Sequence, residues 1–435
     1  MSKSSLSRIK SKNMFKYIIK FLDHGKVLKI FKCSKKYKKI LGLSHNDYKD
    51  YSWTTELEII PQQNMNLEFI NILEINEKYF HIFFNENTNE TKQLQIKKDE
   101  NIEKIRVKFD CKVNSMSGMF RDKKYIKSVN FIKFNRTDID NMSCLFKGCS
   151  SLEEINFTHF NTDNVYNMAS MFDGCSSLKK IDLSNFDTSN VVNMNCMFNG
   201  CSNLKEIDMS HFQTNNVTNL NSMFKGCSSI KEIKISNFNT TKVTDISSMF
   251  EGCSLIKSLD LNNFDTSNVT SMNSLFKNCE KLKDIKLSQF ITNKATSMRA
   301  MFEGCSKLKE INLSNFNTYY VKFFNQMFLN CFELKKINIS NFNTTNALNM
   351  EQMFYGCLSL RKLNPSNFNT IKVISIDSMF YGCKNLQTLN IINFNTKNIN
   401  NKSNIFSGYV KLINIFCEDK DLLSQYEINK KSHNI

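Results

Sequence analysis

One phenylalanine recurs every 26 residues through most of this chain, and that interval constrains the fold more than any other feature of the sequence. It usually ends a Met-Phe pair, and no insertion breaks the register. The recurring positions are Phe120, Phe146, Phe172, Phe198, Phe224, Phe250, Phe276, Phe302, Phe328, Phe354, Phe380 and Phe406. Counting from Ile126 to Leu412 gives eleven complete units. A unit this short cannot enclose a core alone, so the units must stack as a solenoid.

The apolar spacing changes within each unit, and the unit that starts at Leu178 shows the change. Ile181 and Leu183 alternate with the polar Lys180 and Asp182, which predicts a short strand with one buried face. We expect equivalent strands of successive units to pair in parallel as one continuous sheet.

The second half of the same unit has a helical spacing. Val191, Met194, Met197 and Phe198 would share one stripe of a helix of two to three turns. We expect such helices to pack behind the sheet. The methionine and phenylalanine columns are therefore predicted to be core rather than a binding platform.

The predicted helix also has start and stop signals. Asp187 or Thr188 is suited to cap its first turn, and Gly200 supplies a left-handed residue at its end. Asn278 and Asn330 replace the glycine in two other units, and asparagine tolerates that conformation best among the remaining residues. The unit thus predicts an α/β solenoid of strand-turn-helix repeats.

The repeat also resembles a known family. Its pattern, L-x-x-I-x-L-S-N-F-x-T-x-N-V-x-x-M-x-x-M-F-x-G-C-S-S, is similar to the BspA-like leucine-rich repeats over residues 113–417. The resemblance implies a leucine-rich-repeat horseshoe that serves adhesion or protein binding and has no enzymatic activity.

Residues 1–52 have a different composition. Positions 1–50 hold 14 lysines and arginines against 3 aspartates, with apolar residues at helical spacing. The segment SKNMFKYIIKFLDHGKVLKIFKCSKKYKKIL is similar to an F-box but lacks the usual leading Leu-Pro, and this resemblance implies a component of a ubiquitin ligase. Two alternatives stay open: a basic helix resting on an anionic membrane, and a capping module with solvated lysines.

The remaining segments are predicted from their patterning. Residues 53–112 form a β-rich cap, in which hairpin strands between residues 66 and 110 shield the first repeat, and residues 418–435 form a C-terminal tail. Pro365 replaces the last inward strand residue of its unit, so we expect a local weakening of the strand ladder there.

Fifteen cysteines and six histidines offer few chemical sites. Ten cysteines form a ladder at the repeat interval, and we interpret them as small buried thiols in a reducing compartment, in preference to disulfides between neighbouring rungs. The ladder consists of Cys149, Cys175, Cys201, Cys227, Cys253, Cys279, Cys305, Cys331, Cys357 and Cys383. Metal ligands are not clustered and no catalytic motif occurs, so we expect no metal site, no cofactor and no enzyme.

Basic residues follow the first apolar residue of most strands. The predicted basic ribbon comprises Lys179, Lys205, Lys231, Lys257, Lys283, Lys309, Lys335 and Arg361. One interpretation is a track for an acidic protein partner, and the other is a solvated face that keeps the stack soluble. Nucleic acid is disfavoured, because we expect the repeats to lack exposed aromatic residues and the ribbon has little arginine.

These observations predict a monomeric, non-enzymatic scaffold for protein interaction in the cytoplasm, without a transmembrane span. A substrate adaptor is one form that such a scaffold can take. No secretory signal is evident at the N-terminus. The alternative is an extracellular adhesin at the cell surface. Sequons at Asn156, Asn216, Asn268 and Asn338 separate the two, since a secreted eukaryotic chain would carry glycans there.

Overall fold

The structure, a computed structural model, describes residues 54–72, 79–109, 111, 113–134, 136, 138–408 and 412–432. The helical module and F-box-like segment predicted for residues 1–52 lie outside the described residues. The domain boundaries drawn from the sequence stay predictions.

An antiparallel sheet precedes the repeats and joins them directly. Its strands before the repeats are β1 (Thr55–Pro61), β3 (Phe80–Phe84) and β5 (Ile105–Phe109), while β2 (Leu67–Glu68) and β4 (Gln95–Ile96) pair with each other as a separate antiparallel sheet. β1 pairs antiparallel with β5 on one side and with β6 (Ile126–Phe134), the first strand of the repeats, on the other. Leu57 and Ile59 of β1 are fully buried because alternate residues face the core. The sheet thus covers the first end of the repeat stack.

Each 26-residue unit contributes one coil, and coil 1 begins at Ile126. The coil strands are β7 (Glu154–Asn156), β8 (Glu206–Asp208), β9 (Glu232–Lys234), β10 (Ser258–Asp260), β11 (Asp284–Lys286), β12 (Glu310–Asn312), β13 (Lys336–Asn338), β14 (Lys362–Leu363), β15 (Thr388–Asn390) and β16 (Asn414–Phe416). β7 pairs in parallel with β6 in the first sheet, and the other strands pair in parallel as separate sheets of two or three strands. The prediction of one continuous parallel sheet was therefore wrong.

The unbroken ladder lies instead in the segment where the helix was predicted. Bridges between equivalent residues connect every coil there from Ser115 to Asn401. In coil 1, the amides of Met142, Cys144, Phe146 and Gly148 donate to carbonyls of the next coil at 2.6 to 2.9 Å. This segment is a run of turns, and within the described residues the repeats contain no helix. The prediction of strand-turn-helix units was wrong.

Backbone conformation explains why the turns replace a helix. Cys196 has φ 55° and Gly200 has φ 71°, so the chain enters the left-handed region twice within five residues. A right-handed helix cannot include such residues, whereas consecutive turns place an apolar side chain inward about every three residues, as a helix would. The left-handed conformation predicted for Asn278 and Asn330 is confirmed, at φ 57° and 59°.

The predicted helix caps have other partners. Asp187 accepts a hydrogen bond from the amide of Ser189 in a local turn, at 2.9 Å. The hydroxyl of Thr188 donates to the carbonyl of Gln213 in the next coil, at 3.1 Å, and accepts from the amide of Gln213. Nine buried threonines at this position make the same donation at 2.8 to 3.1 Å, so the column ties each coil to its successor.

A side-chain amide bridges interfaces where strands do not pair. Asn263 donates to the carbonyls of Ile235 and Phe238, at 3.1 and 3.0 Å, across the gap between β9 and β10. Asn315 and Asn367 do the same across the gaps between β11 and β12 and between β13 and β14. Paired and bridged interfaces therefore alternate along this part of the stack.

The interior consists of columns of identical side chains, which confirms the predicted core. The recurring phenylalanines from Phe120 to Phe380 stack with ring centroids 5.1 to 5.9 Å apart. The ladder cysteines are fully buried beside them. Each of their thiols donates to the carbonyl of the phenylalanine 29 residues earlier, at 2.9 to 3.2 Å.

Both ends of the threonine column have substitutes. At its start, buried Arg136 occupies the threonine position and donates to the carbonyls of Cys111 and Val113. At its end, the Asp419 carboxylate takes the place that a carbonyl of the next coil has elsewhere, and it accepts hydrogen bonds from the amide and hydroxyl of Thr396. Asp419 directly precedes helix α1 (Lys420–Ser432). Leu422 and Tyr426 of α1 are buried, so the helix closes the last coil.

Candidate functional site

The strand face is the outer surface formed by the second, third and fifth residues of each coil. The short strands leave these residues exposed while the fourth points inward. All eight residues of the predicted basic ribbon are exposed on this face. They lie one per coil, and backbone bonds such as Lys231 N–H to Lys205 O, at 2.8 Å, hold neighbours in line.

Charge is unevenly distributed along the strand face. Coils 2 to 6 carry six basic and seven acidic residues, a net of −1. Coils 7 to 10 carry seven basic and two acidic residues, a net of +5. The basic residues of these four coils are Lys283, Lys286, Lys309, Lys335, Lys336, Arg361 and Lys362, and the acidic ones are Asp284 and Glu310. We call coils 7 to 10 the basic half of the strand face.

Ion pairs account for part of this charge. Lys179 pairs with Glu153 at 2.9 Å, and Lys234 pairs with Asp208 at 3.2 Å, in coils 2 to 6, which we call the balanced coils. In the basic half, Lys336 pairs with Glu310 at 3.0 Å. Of the described residues, none forms an ion pair with Lys335, Arg361 or Lys362.

Local hydrogen bonds also set the ionisation of this face. The Ser210 hydroxyl, the Ser210 amide and Lys234 lower the pKa of Asp208 to about 2. Lys179 lowers the pKa of Glu153 by a hydrogen bond and by its charge. Asp208 and Glu153 therefore stay ionised at neutral pH and offset the lysines beside them.

A groove crosses the basic half. It has a volume of about 1160 Å³, and Ile285, Ile311 and Ile337 lie along its floor. Lys335 and Arg361 stand among its basic wall residues. Such a groove offers an apolar floor and cationic walls to a bound segment. The short strand β14 borders the groove through Lys362. Pro365 follows this strand, and proline lacks the backbone N–H that would donate to the strand ladder.

No group of three or more potential metal ligands occurs among the described residues, and no helix in this part of the chain could cross a bilayer.

Exposed aromatic residues were missed by the sequence analysis. Tyr319, Tyr320 and Phe323 are 42%, 57% and 42% exposed, so the expectation that the repeats lack exposed aromatics was wrong. Comparing each position across units would have found them, because Thr345 and Asn346 occupy the positions of the two tyrosines one coil later.

The fold defines the protein as a β-solenoid of stacked 26-residue coils with a cap at each end. The chain belongs to the family described as Mycoplasma protein of unknown function, DUF285, which matches residues 114–233, 197–311, 251–364 and 324–418. The narrower assignment to BspA-like leucine-rich repeats stays a prediction. No curated protein shows a significant sequence match to the chain.

Two solved structures are similar to parts of the chain. One is the Toll–Spätzle complex of Drosophila, at 16% identity, covering 64% of this chain and 35% of that chain with a TM-score of 0.30. The other is the TLR13–ssRNA13 complex, at 14% identity, covering 60% of this chain and 47% of that chain with a TM-score of 0.18. The chain spans less than half the length of either, and the horseshoe shape stays a prediction.

Proposed function

We propose that the protein is a non-enzymatic scaffold that binds an acidic protein partner on the basic half of the strand face. The net charge of +5 on coils 7 to 10, against −1 on coils 2 to 6, supports this assignment most directly. A cationic groove attracts an acidic partner and favours its encounter at low salt.

The proposal narrows the predicted ribbon to its C-terminal part. Lys335 and Arg361 belong to the ribbon and line the groove, and Lys362 stands next to Arg361 on the same wall. Lys179, Lys205 and Lys231 share the ribbon but have acidic neighbours. The latter three serve as a solvated face in this proposal.

A charge-reversal experiment tests the assignment. The triple variant Lys335→Glu/Arg361→Glu/Lys362→Glu should bind a labelled decaglutamate peptide, and partners captured from the native cells, at least about tenfold more weakly. The matched control, Lys179→Glu/Lys205→Glu/Lys231→Glu, reverses the same number of charges on the balanced coils and should bind as the parent does. Equal losses in both variants, or none in either, would contradict the proposal.

The proposal also states what the scaffold is attached to and in which cell compartment it works. Residues 1–52 would connect the scaffold to a ubiquitin ligase, making it a substrate adaptor in the cytoplasm. Protein isolated from its own cells under alkylating conditions should then have fifteen alkylated thiols and no glycan. Glycans at Asn156 or Asn338, or thiols protected as disulfides, would favour the extracellular adhesin instead.

A further inference from the structure

A second surface departs from the repeat in coils 8 to 10, on the turns that lead into the continuous ladder and, at Phe323, on the ladder itself. Tyr319, Tyr320 and Phe323 project from coil 8, and Ile371 and Ile374, 54% and 51% exposed, project from coil 10. Other coils hold serine, threonine, asparagine or lysine at most of these positions. We call these five residues the apolar edge.

The charge beside the apolar edge is mainly positive. Residues 313–324, 339–350 and 365–376 form this side of the three coils, and they contain Lys322 and Lys372 but no carboxylate. Lys397 follows at the position of Ile371 in the next coil and is exposed. Glu351 and Asp377, both only partly exposed, follow directly after two of these ranges, so lysines provide most of the exposed charge beside the edge. An apolar surface with a mainly cationic border suits an anionic partner with an apolar interior.

The polar groups of the edge are already engaged within the protein. Asn317 and Asn369 accept hydrogen bonds from the amides of Tyr319 and Ile371, at 3.1 and 3.0 Å. Asn346 donates to the carbonyl of Tyr319 at 2.8 Å. Protein interfaces usually carry about one hydrogen bond per 100–200 Å², and this edge offers few free groups for them. A lipid surface requires no such directional bonds.

We propose that the apolar edge docks on an anionic phospholipid bilayer. Tyr319 and Tyr320 suit the boundary between headgroups and acyl chains, because each joins an apolar ring to a polar hydroxyl. Phe323, Ile371 and Ile374 supply the apolar contact. This site is separate from the strand face and does not depend on the protein partner.

Vesicle flotation of the full chain tests the proposal with substitutions taken from neighbouring coils. The variant Tyr319→Thr/Tyr320→Asn/Phe323→Asn/Ile371→Thr/Ile374→Thr uses residues that Thr345, Asn346, Asn349 and Thr296 already place at the equivalent positions. The parent should bind phosphatidylcholine vesicles containing about 30% phosphatidylserine, and the variant should bind them at least about tenfold more weakly. Vesicles of phosphatidylcholine alone should bind the parent weakly.

A matched control removes exposed apolar groups far from the edge. Tyr166→Thr/Val192→Thr changes two exposed side chains at the position of Ile374, in coils 2 and 3, five or more coils from the edge, and should bind vesicles as the parent does. Equal binding by the parent and the five-residue variant would overturn the proposal and assign any vesicle binding to another part of the chain. Failure of the parent to bind, or loss of a protein partner with vesicle binding intact, would also overturn it.

Insertion can be detected at the edge itself. Tyr320→Trp places an indole on the edge, and brominated lipids should quench its fluorescence on anionic vesicles. Tyr166→Trp provides the control, because the chain's native tryptophan contributes equally to both variants. Equal quenching of the two variants would contradict docking through this edge.

Discussion

The thiol of Cys175 donates a hydrogen bond to the carbonyl oxygen of Phe146 in the preceding coil, 3.2 Å away. That carbonyl also accepts the amide of Cys149 within its own coil, at 3.1 Å. The ladder thiol therefore does more than fill space: it supplies a donor across each interface between coils. A disulfide between neighbouring rungs would remove the protons that make these bonds.

We expect the ladder thiols to resist modification in the folded protein. Burial raises the pKa of Cys227 to about 12, so almost no thiolate is present at pH 8. Cys196 is only partly buried and should react faster with iodoacetamide, by roughly 100-fold or more. Mass spectrometry of the alkylated peptides measures both rates. Similar rates at the two cysteines would show that the ladder is open to solvent.

The same thiols should make stability fall at alkaline pH. Burial raises the pKa of Cys149 and Cys383 from 9.0 to about 12, so the folded protein keeps protons that the unfolded chain releases. Their contribution to the unfolding free energy is fully present below pH 9 and is lost as the pH rises towards 12. Each thiol steepens the fall of the unfolding free energy by up to about 1.4 kcal/mol per pH unit.

Variants isolate this effect from the titration of lysine and tyrosine. Cys227→Ala should lessen the alkaline loss of unfolding free energy, measured by denaturant titration at each pH. Cys196→Ala, which removes a less buried thiol, should change it less. Identical pH dependence in the parent and Cys227→Ala would rule out the ladder as its cause.

The sequence allowed the core to be predicted but left the local backbone undecided. Val191, Met194 and Met197 point inward whether the segment is a helix or a run of turns, because both place a side chain inward about every three residues. Cys196 decides the outcome by its left-handed conformation, and neither cysteine nor the serine at equivalent positions marks such a residue in sequence. Bonds between coils stabilise it there.

The candidate site was predictable in part for a different reason. The ribbon follows from position alone, since Lys335 and Arg361 occupy an outward slot of the repeat. Its uneven charge depends on the neighbouring positions, where Glu206 and Glu232 give way to Lys336 and Lys362. A pattern averaged over the units hides that change, as it hides the tyrosines of the apolar edge.

The alternation of interfaces predicts unequal roles for equivalent asparagines. Asn263→Ala removes two hydrogen bonds across an interface without strand pairing and should lower the unfolding free energy by about 1–2 kcal/mol. Asn237→Ala removes a bond to Ser210 O at the interface where β8 and β9 pair, and should cost about half as much. Denaturant titration compares the two. A larger loss for Asn237→Ala would mean that the amide bridges do not replace strand pairing.

The C-terminal end should depend on a single carboxylate. The Asp419 carboxylate accepts hydrogen bonds from the amide and hydroxyl of Thr396, at 2.9 and 2.7 Å. It also accepts one from the amide of Leu422 in α1, at 3.1 Å. Partial burial opposes its ionisation, but these bonds prevail and hold its pKa below the ordinary value of 3.8. Its stabilisation is therefore present above about pH 4 and is lost as the pH falls through the folded-state pKa.

Asp419→Ala should release both the last coil and α1, with a local loss of about 2–3 kcal/mol. Hydrogen exchange would then accelerate in residues 391–408 and 412–432 and stay unchanged in coils 3 to 6, because each coil contacts only its neighbours. The control Asp421→Ala removes an exposed pair with Lys402, 2.9 Å apart, and should leave exchange in the last coil nearly unchanged. Equal protection in the Asp419→Ala variant and the parent would show that the apolar contacts of Leu422 and Tyr426 suffice to hold the end of the stack.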